Sequence, residues 1–393
     1  MYIWKLALRN LLGAKLRTWL NAFVLSISFV LIIGCQALYK SMTETMVTNS
    51  VNGLYGGGQY WQENYDPYDT LTLDDAHDKI PNALQTLIKE NKAVAILRHT
   101  ATLYPNNRLV NITLNGINHG QTVLDIPTSK LTAGQSRYDI PAVIGRKMAK
   151  NCNLNVGDTA MLRWRDAHGT FDAAEIRIVE IMYTDLSDID EGQVWIALDK
   201  MQALSGLSGE STLIVLDKNF KTKAAEIFDG WTFKSLPTLL QPIRNMMTSE
   251  YMEAGILYAV FLFLAMLGIF DTQVLSIFRR KKEMGTMLAL GITKSELIRI
   301  FTLEGALNSL LAAGLTIIYG TPLLVWFGKV GFSVESMDEL GFGLGQTLYP
   351  IYTPGIIFGT GAVIIILTIL VSYFPCRQIS KLTPTEALRG TAK

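Results

Sequence analysis

Four stretches of this chain are too long and too apolar for the elements of an ordinary soluble core, and they decide what it can fold into. Residues 18–39, 305–328 and 355–375 carry no charged side chain, and residues 254–278 carry one, Asp271. A bilayer core about 30 Å thick needs about 20 apolar residues of helix to cross it, and each stretch supplies them. The intervening segments are then loops on one side of a membrane or the other.

The formal net charge is only +1, but its distribution gives the orientation. Residues 1–17 contain Lys5, Arg9, Lys15 and Arg17 and no acid. Residues 279–304 hold six cations against Glu283, Glu296 and Glu304, and residues 376–393 hold Arg377, Lys381, Arg389 and Lys393 against Glu386. Residues 40–253 have 20 basic and 26 acidic side chains, a net −6. Basic loops stay in the cytoplasm, so both termini and 279–304 are expected inside, with 40–253 and the short loop 329–354 outside. The expected fold is therefore a membrane α-helical protein of four transmembrane helices, with a large α+β domain inserted between helices 1 and 2.

The lead 1–17 sets Trp4, Leu8, Leu11 and Leu12 against Lys5, Arg9 and Lys15, a pattern for a helix lying in the interface plane. Ile32-Ile33-Gly34-Cys35 has the form of a lipoprotein cleavage site. Cleavage there would break the four-span topology, so a continuous helix is the preferred reading. Residues 41–52 extend that helix until Gly56-Gly57-Gly58 interrupts it. The acids of Asp74-Asp75-Ala76-His77-Asp78 suit the first turn of a helix, with 82–91 continuing it or forming a second. Strands are expected at 93–97, 100–104, 109–117, 160–165, 175–183, 194–197 and 212–216, in two β-rich parts. Short helices are expected at 146–151, 199–204 and 219–228, and 239–253 reads as a helix running straight into the second span. Cys152 is alone outside, so packing rather than disulfides must hold the domain.

In the membrane, Tyr319-Gly320-Thr321-Pro322 should bend the third span, and Gly355-x-x-x-Gly359 is a close-packing pattern. Gly341-Phe342-Gly343-Leu344-Gly345 follows no strand and reads as a connector. Thr383-Pro384-Thr385-Glu386 opens a short C-terminal helix. Asp271 lies about 12 Å of helix from Arg279, at inner-leaflet depth, and an interhelical hydrogen bond is its expected role.

No Gly-x-x-x-x-Gly-Lys-Ser/Thr loop, nucleophile elbow or zinc-protease helix occurs, and His77, His99, His119 and His168 share no metal-like spacing. No catalytic residue, metal site or nucleic-acid partner is assigned. What stands out is the segment after the second span. Glu283, Met284, Gly285, Thr286, Met287, Leu288, Ala289 and Leu290 form a short helix with apolar residues at helical spacing, and Gly291 follows as its stop. Thr293 and Glu296 make a capping box for the next helix. An amphipathic helix on the basic side of a membrane is a handle for a soluble partner, with Met287 and Leu288 at its centre.

The run Arg280-Lys281-Lys282-Glu283-Met284-Gly285-Thr286-Met287-Leu288-Ala289-Leu290-Gly291, with Leu303-Glu304-Gly305, Tyr373-Phe374-Pro375-Cys376-Arg377 and Pro384-Thr385-Glu386-Ala387-Leu388-Arg389, resembles the FtsX-like permeases of ABC transporters. That family includes the MacB-type macrolide exporter. Val143-Ile144-Gly145-Arg146-Lys147-Met148-Ala149, Val156-Gly157-Asp158 and 194–207 look most like its lipoprotein-releasing (LolC/LolE) branch. The resemblance implies a multi-pass protein of the bacterial inner membrane with a periplasmic domain. It implies mechanotransmission, in which a separate ABC ATPase dimer, binding the ATP and Mg, grips 283–291. A second permease, the same or homologous, would complete the complex. Asp271 falls where relatives carry Asn. A lipid-like substrate fits the uncharged faces of the first two spans, with Phe29, Ile33, Ile256, Val260, Phe263 and Leu267 as candidate substrate-facing residues; ordinary lipid contact fits them equally. Three functions stay open: lipoprotein extraction toward a soluble carrier, export of antibiotics or peptides through a docked adaptor, and transmembrane signalling to a cell-wall hydrolase.

Overall fold

The computed structural model describes residues 15–132, 140–184, 186–220, 227–332 and 347–377. Its principal helices, in chain order, are α1 (Lys15–Ser50), α2 (Asn82–Lys89), α3 (Arg146–Cys152), α4 (Leu198–Ser205), α5 (Gln241–Arg279), α6 (Lys281–Ala289), α7 (Lys294–Leu315), α8 (Thr321–Val330) and α9 (Pro354–Arg377). The strands are β1 (Gly58–Gln62), β2 (Asp78–Lys79), β3 (Ala93–Tyr104), β4 (Val110–Ile117), β5 (Ile140–Gly145), β6 (Thr159–Arg165), β7 (Phe171–Met182), β8 (Gln193–Ala197), β9 (Glu210–Ser211), β10 (Leu213–Leu216) and β11 (Trp231–Ser235). The expectations for 1–14, 341–345 and 384–388 fall outside the described residues, as does most of the helix expected at 219–228.

The chain divides into two compact units. In the first, four helical segments are long and apolar enough to cross a membrane: Trp19–Tyr55, Gln241–Arg279, Lys294–Val330 and Pro354–Arg377. α1 has 36 residues and α5 has 39, so each is over 50 Å long and outruns the bilayer core. Cys35 lies inside α1, as the continuous-helix reading requires. The core of the bundle is Ala22, Leu25, Phe29 and Ile32 of α1 against Ala265, Met266 and Ile269 of α5, Ala312 of α7 and Ile364 of α9. Between apolar helices in lipid, close approach and interhelical hydrogen bonds supply what the hydrophobic effect does not. Asn21 Nδ2 donates to Thr272 Oγ1 at 2.7 Å, Thr360 Oγ1 to Gln36 Oε1 at 3.2 Å, and the Ser26 and Tyr319 hydroxyls meet at 2.8 Å.

The third span departs from regular α-helix where the sequence places a disturbance. Pro322 has no N–H to donate back along the helix, and the chain absorbs the loss as a π turn at Thr316–Gly320 before α8 resumes. The close-packing glycines are not the expected pair. Nothing from another helix lies within 4 Å of a Cβ built at Gly355 or Gly359, whereas one at Gly305 would press into Ser372 and one at Gly320 would lie 2.6 Å from Val30.

The second unit, drawn from Thr43–Met246, is one nine-stranded sheet in the order β11-β1-β10-β3-β4-β8-β5-β7-β6, with β6 also pairing with β3. The two β-rich parts expected from sequence are therefore continuous. The long strand β3 makes this possible: Ala93–Ile96 pair with β10 and Ala101–Tyr104 with β6, both opposite the edge that pairs with β4. Strands β3, β4, β8, β5, β7 and β6 thus form a closed ring. Both faces are buried along its central strands. Ala95 and Leu97 go to one core and Val94 and Ile96 to the other, as Ile214 and Leu213, and Ile196 and Trp195, also divide. Burial on both faces is why these strands read as continuous apolar runs rather than alternating ones.

Two local expectations are corrected. Asp74–Asp78 starts no helix. Asp74 Oδ1 instead accepts from Thr100 N–H at 3.2 Å and Thr100 Oγ1 at 2.7 Å and lies 2.7 Å from His99 Nδ1, so its acceptors are turned to the sheet. Asp78 then enters β2, paired with β9, and the helix begins at Asn82. Residues 93–97 and 100–104 are a single strand. The sequence reading also missed β1 and β11, which pair along their whole lengths.

Candidate functional site

The segment joining the second and third spans is fixed at both ends by backbone chemistry. At its start, Arg280 sits between α5 and α6 out of helical register. Its guanidinium donates from Nε to Glu283 at 2.8 Å and from Nη1 to Glu304 of α7 at 2.9 Å, and lies 4.8 Å from the Phe301 ring centroid. Both Arg280 and Glu304 are largely buried, and the planar fork of arginine suits two carboxylates and a ring face at once. At its end, Gly291 takes a φ of +97°, its N–H bonding to Leu288 O and that of Ile292 to Met287 O, both at 3.1 Å. This paired closure needs a residue without a Cβ at the turn. Thr293 and Glu296 then exchange the two bonds of the expected capping box.

Between these fixtures α6 divides into two faces. Met284 is fully buried and packs with Ile277, Leu297, Phe301 and Cys376, joined by Met287 and Leu288 in partly buried positions. Gly285 is also buried. The outward face is Lys282, Glu283, Thr286, Ala289, Leu290 and Gly291. Met287 and Leu288, expected at the centre of a partner-binding face, are partly buried against the chain's own helices, while Leu290 is 79% exposed. The helix spacing was legible in sequence. Which apolar positions faced inward was not, because that depends on where α7 returns.

The remaining sequence-selected residues separate in the same way. Phe29 and Ile33 are 3% exposed, inside the bundle, so neither offers a face to substrate from this chain. Ile256, Val260, Phe263 and Leu267 are 46–69% exposed and form one stripe along α5. Asp271 falls on the same exposed stripe, and among the described residues it makes no hydrogen bond or ion pair. The interhelical bond expected of it is not made among the described residues; Asn21 and Thr272 make one nearby. Sequence reasoning missed Arg280 and Glu304 as a pair. Both stood in the quoted motifs, but nothing in a one-dimensional pattern joins positions 24 residues apart. Among the described residues no cluster of His, Cys, Asp and Glu could hold a metal.

Residues 255–384 match the sequence family described as FtsX-like permease C-terminal. The C-terminal third of this chain is an FtsX-like permease domain. It takes in most of the second span, all of α6, the Arg280–Glu304 pair and the last two spans. No curated protein matches the chain at a significant level. Among solved structures it is similar to the extracellular domain of the noncanonical ABC-type transporter YknZ from Gram-positive bacteria. The identity there is 18% over 43% of this chain and 84% of that one, with a TM-score of 0.25.

Proposed function

We propose that this chain is the membrane subunit of an ABC-type transporter that works by mechanotransmission. In this reading a separate ATPase dimer carries the ATP and Mg and docks on the outward face of α6 from the cytoplasm. The observation that carries it is α6 itself: a two-turn helix, closed off at both ends, with one face sealed onto α5, α7 and α9 and the other left open. Arg280 bonds Glu304 across to α7, so a push on α6 passes to two spans at once rather than bending a loop. α5 and α1 each outrun the membrane, which lets them carry displacement to the external unit. In this reading the face and both termini lie on the cytoplasmic side of a bacterial inner membrane, an orientation the basic segments support. The substrate is then handled at the outer face, and a second permease, the same or homologous, completes the complex. We assign the substrate to lipoproteins passed toward a soluble carrier. Support comes from the sequence motifs at 143–149, 156–158 and 194–207 and from the apolar stripe of α5, which suits acyl chains.

The test changes only the outward face. Ala289→Glu with Leu290→Glu places two carboxylates where a partner would bury apolar surface, at about 1.5–3 kcal/mol per large side chain. The double variant should reach the membrane at normal levels, lose co-purification of the ATPase by more than tenfold, and stop transport. Undiminished co-purification at normal membrane levels would end the docking assignment.

A further inference from the structure

Asp271 is exposed on a helix that the architecture sets in lipid. Every other exposed side chain of α5 between Ile256 and Phe278 is apolar. Asp271 lies eight residues, about 12 Å, from Arg279. A short carboxylate side chain cannot climb to the interface from there, as a lysine or arginine does. Facing lipid at that depth is costly for an acid, and such groups are covered by protein. The neighbouring span carries a second exposed polar group at the same level. Thr368 Oγ1 of α9 lies 3.8 Å from Met266 Sδ of α5, which fixes the register of the two helices. As second and fourth spans they run the same way across the membrane, and five residues further on stand Asp271 in α5 and Tyr373 in α9. Tyr373 is 46% exposed, and among the described residues its hydroxyl, like the Asp271 carboxyl, has no hydrogen-bond partner.

A phenol donates and a carboxylate accepts, in a charge-assisted bond that low dielectric strengthens. In a closed two-fold contact residue i meets j and j meets i. A second copy set with its α9 along α5 and its α5 along α9 therefore satisfies both groups twice, at one depth, with no further component. Leu267 and Leu275 of α5 and Leu370 of α9, all exposed and each one turn from the polar pair, supply the apolar surface around it. We propose that the inner-leaflet halves of α5 and α9 are the interface with a second copy of this chain, joined by two Asp271–Tyr373 hydrogen bonds. The outer part of the α5 stripe, from Ile256 to Phe263, remains open to substrate. The proposal rests on the second permease of the preceding reading and fixes it as a copy of this chain. Its test contains no ATPase and no substrate, so it can fail while that reading stands.

Two differently tagged forms of the full-length chain are co-expressed, one with Leu267→Cys and the other with Leu370→Cys, and their membranes are oxidised with copper phenanthroline before solubilisation. The chain without added cysteines gives the background. The mixed pair should cross-link to a dimer, and either variant alone should not, because the contact sets α5 against α9. Capture of one tagged form by the other in detergent is the second readout. Tyr373→Phe, which removes only a hydroxyl, should weaken capture about tenfold, Asp271→Leu equally, and the double variant no further than either. Asp271→Asn keeps an acceptor and should leave capture close to wild type. Leu267→Cys cross-linking to itself would place α5 against α5. Absence of any dimer would mean that Asp271 is covered by a different chain or by residues outside the described ones. Capture unchanged in Tyr373→Phe would remove the bond; each of these overturns the proposal.

Discussion

Asp74 shows how one carboxylate can organise a segment that sequence alone reads otherwise. Burial raises the pKa of its carboxyl, but the bonds from His99 and Thr100 and the charge of His99 outweigh that and bring it down to about 2. A carboxyl that titrates lower folded than unfolded stabilises the fold above its unfolded value near 3.8, and that contribution fades as pH falls toward 2. With the side chain 29% exposed, solvent screening leaves about 1–2 kcal/mol. Asp74→Asn should therefore lower the thermal midpoint of the purified protein by a few degrees near pH 5, where the carboxylate is ionised. The gap to wild type should narrow from pH 4 downward. A gap that widens on acidification would show that the carboxylate is not what His99 and Thr100 hold. Consecutive acids near a helix are an honest helix-start signal, and here it failed because two long-range partners on β3 took the acceptors first. Cys152, the one cysteine of this domain, is buried, and that burial pushes its thiol up, out of easy reach of reagents.

At the scale of elements, legibility followed how local the cause was. The capping box at Thr293, the stop at Gly291 and the π turn before Pro322 are set by residues within about two helical turns of each other, and all three stand where the sequence marks a change. The buried strands at 93–97, 194–197 and 213–216 were found as apolar runs, but β5, buried at all six positions, was not. β1 and β11 were not, because β1 opens on Gly58 and β11 mixes polar and aromatic residues, and only their pairing makes them strands. Helix contacts in the membrane belong to the same hidden class. Gly355-x-x-x-Gly359 has the expected spacing and no neighbour, while Gly305, unremarkable in spacing, is where α7 meets α9. A Cβ there would press on Ser372 and lie 2.8 Å from Gln273 Nε2. Overfilling a packed contact costs about 1–3 kcal/mol. Gly305→Ala should lower the amount of folded protein in the membrane, and adding Ser372→Gly should restore much of it. Failure of the second change to rescue the first would mean that α7 and α9 are not held at this contact.

For the whole molecule, everything said of α6 depends on which side of the membrane it lies. The sequence argument is electrostatic: six cations in 279–304, a basic lead and a basic tail against a net −6 in 40–253. The four helical spans make that assignment geometrically possible, since an even number returns the chain to the side it left. It is tested with an impermeant maleimide on cells whose outer membrane has been permeabilised. Val156 is exposed at 59% in the turn before β6, and Ser295 is exposed in the first turn of α7, so cysteine at either place is open to reagent if the compartment is. With Cys152 buried, and Cys35 and Cys376 inside helices, the native background should be low. Val156→Cys should label in intact inner membranes and Ser295→Cys only after detergent is added. Labelling of both before detergent would break the four-span topology. The reverse pattern would turn the protein over, placing α6 outside, beyond reach of any cytoplasmic ATPase.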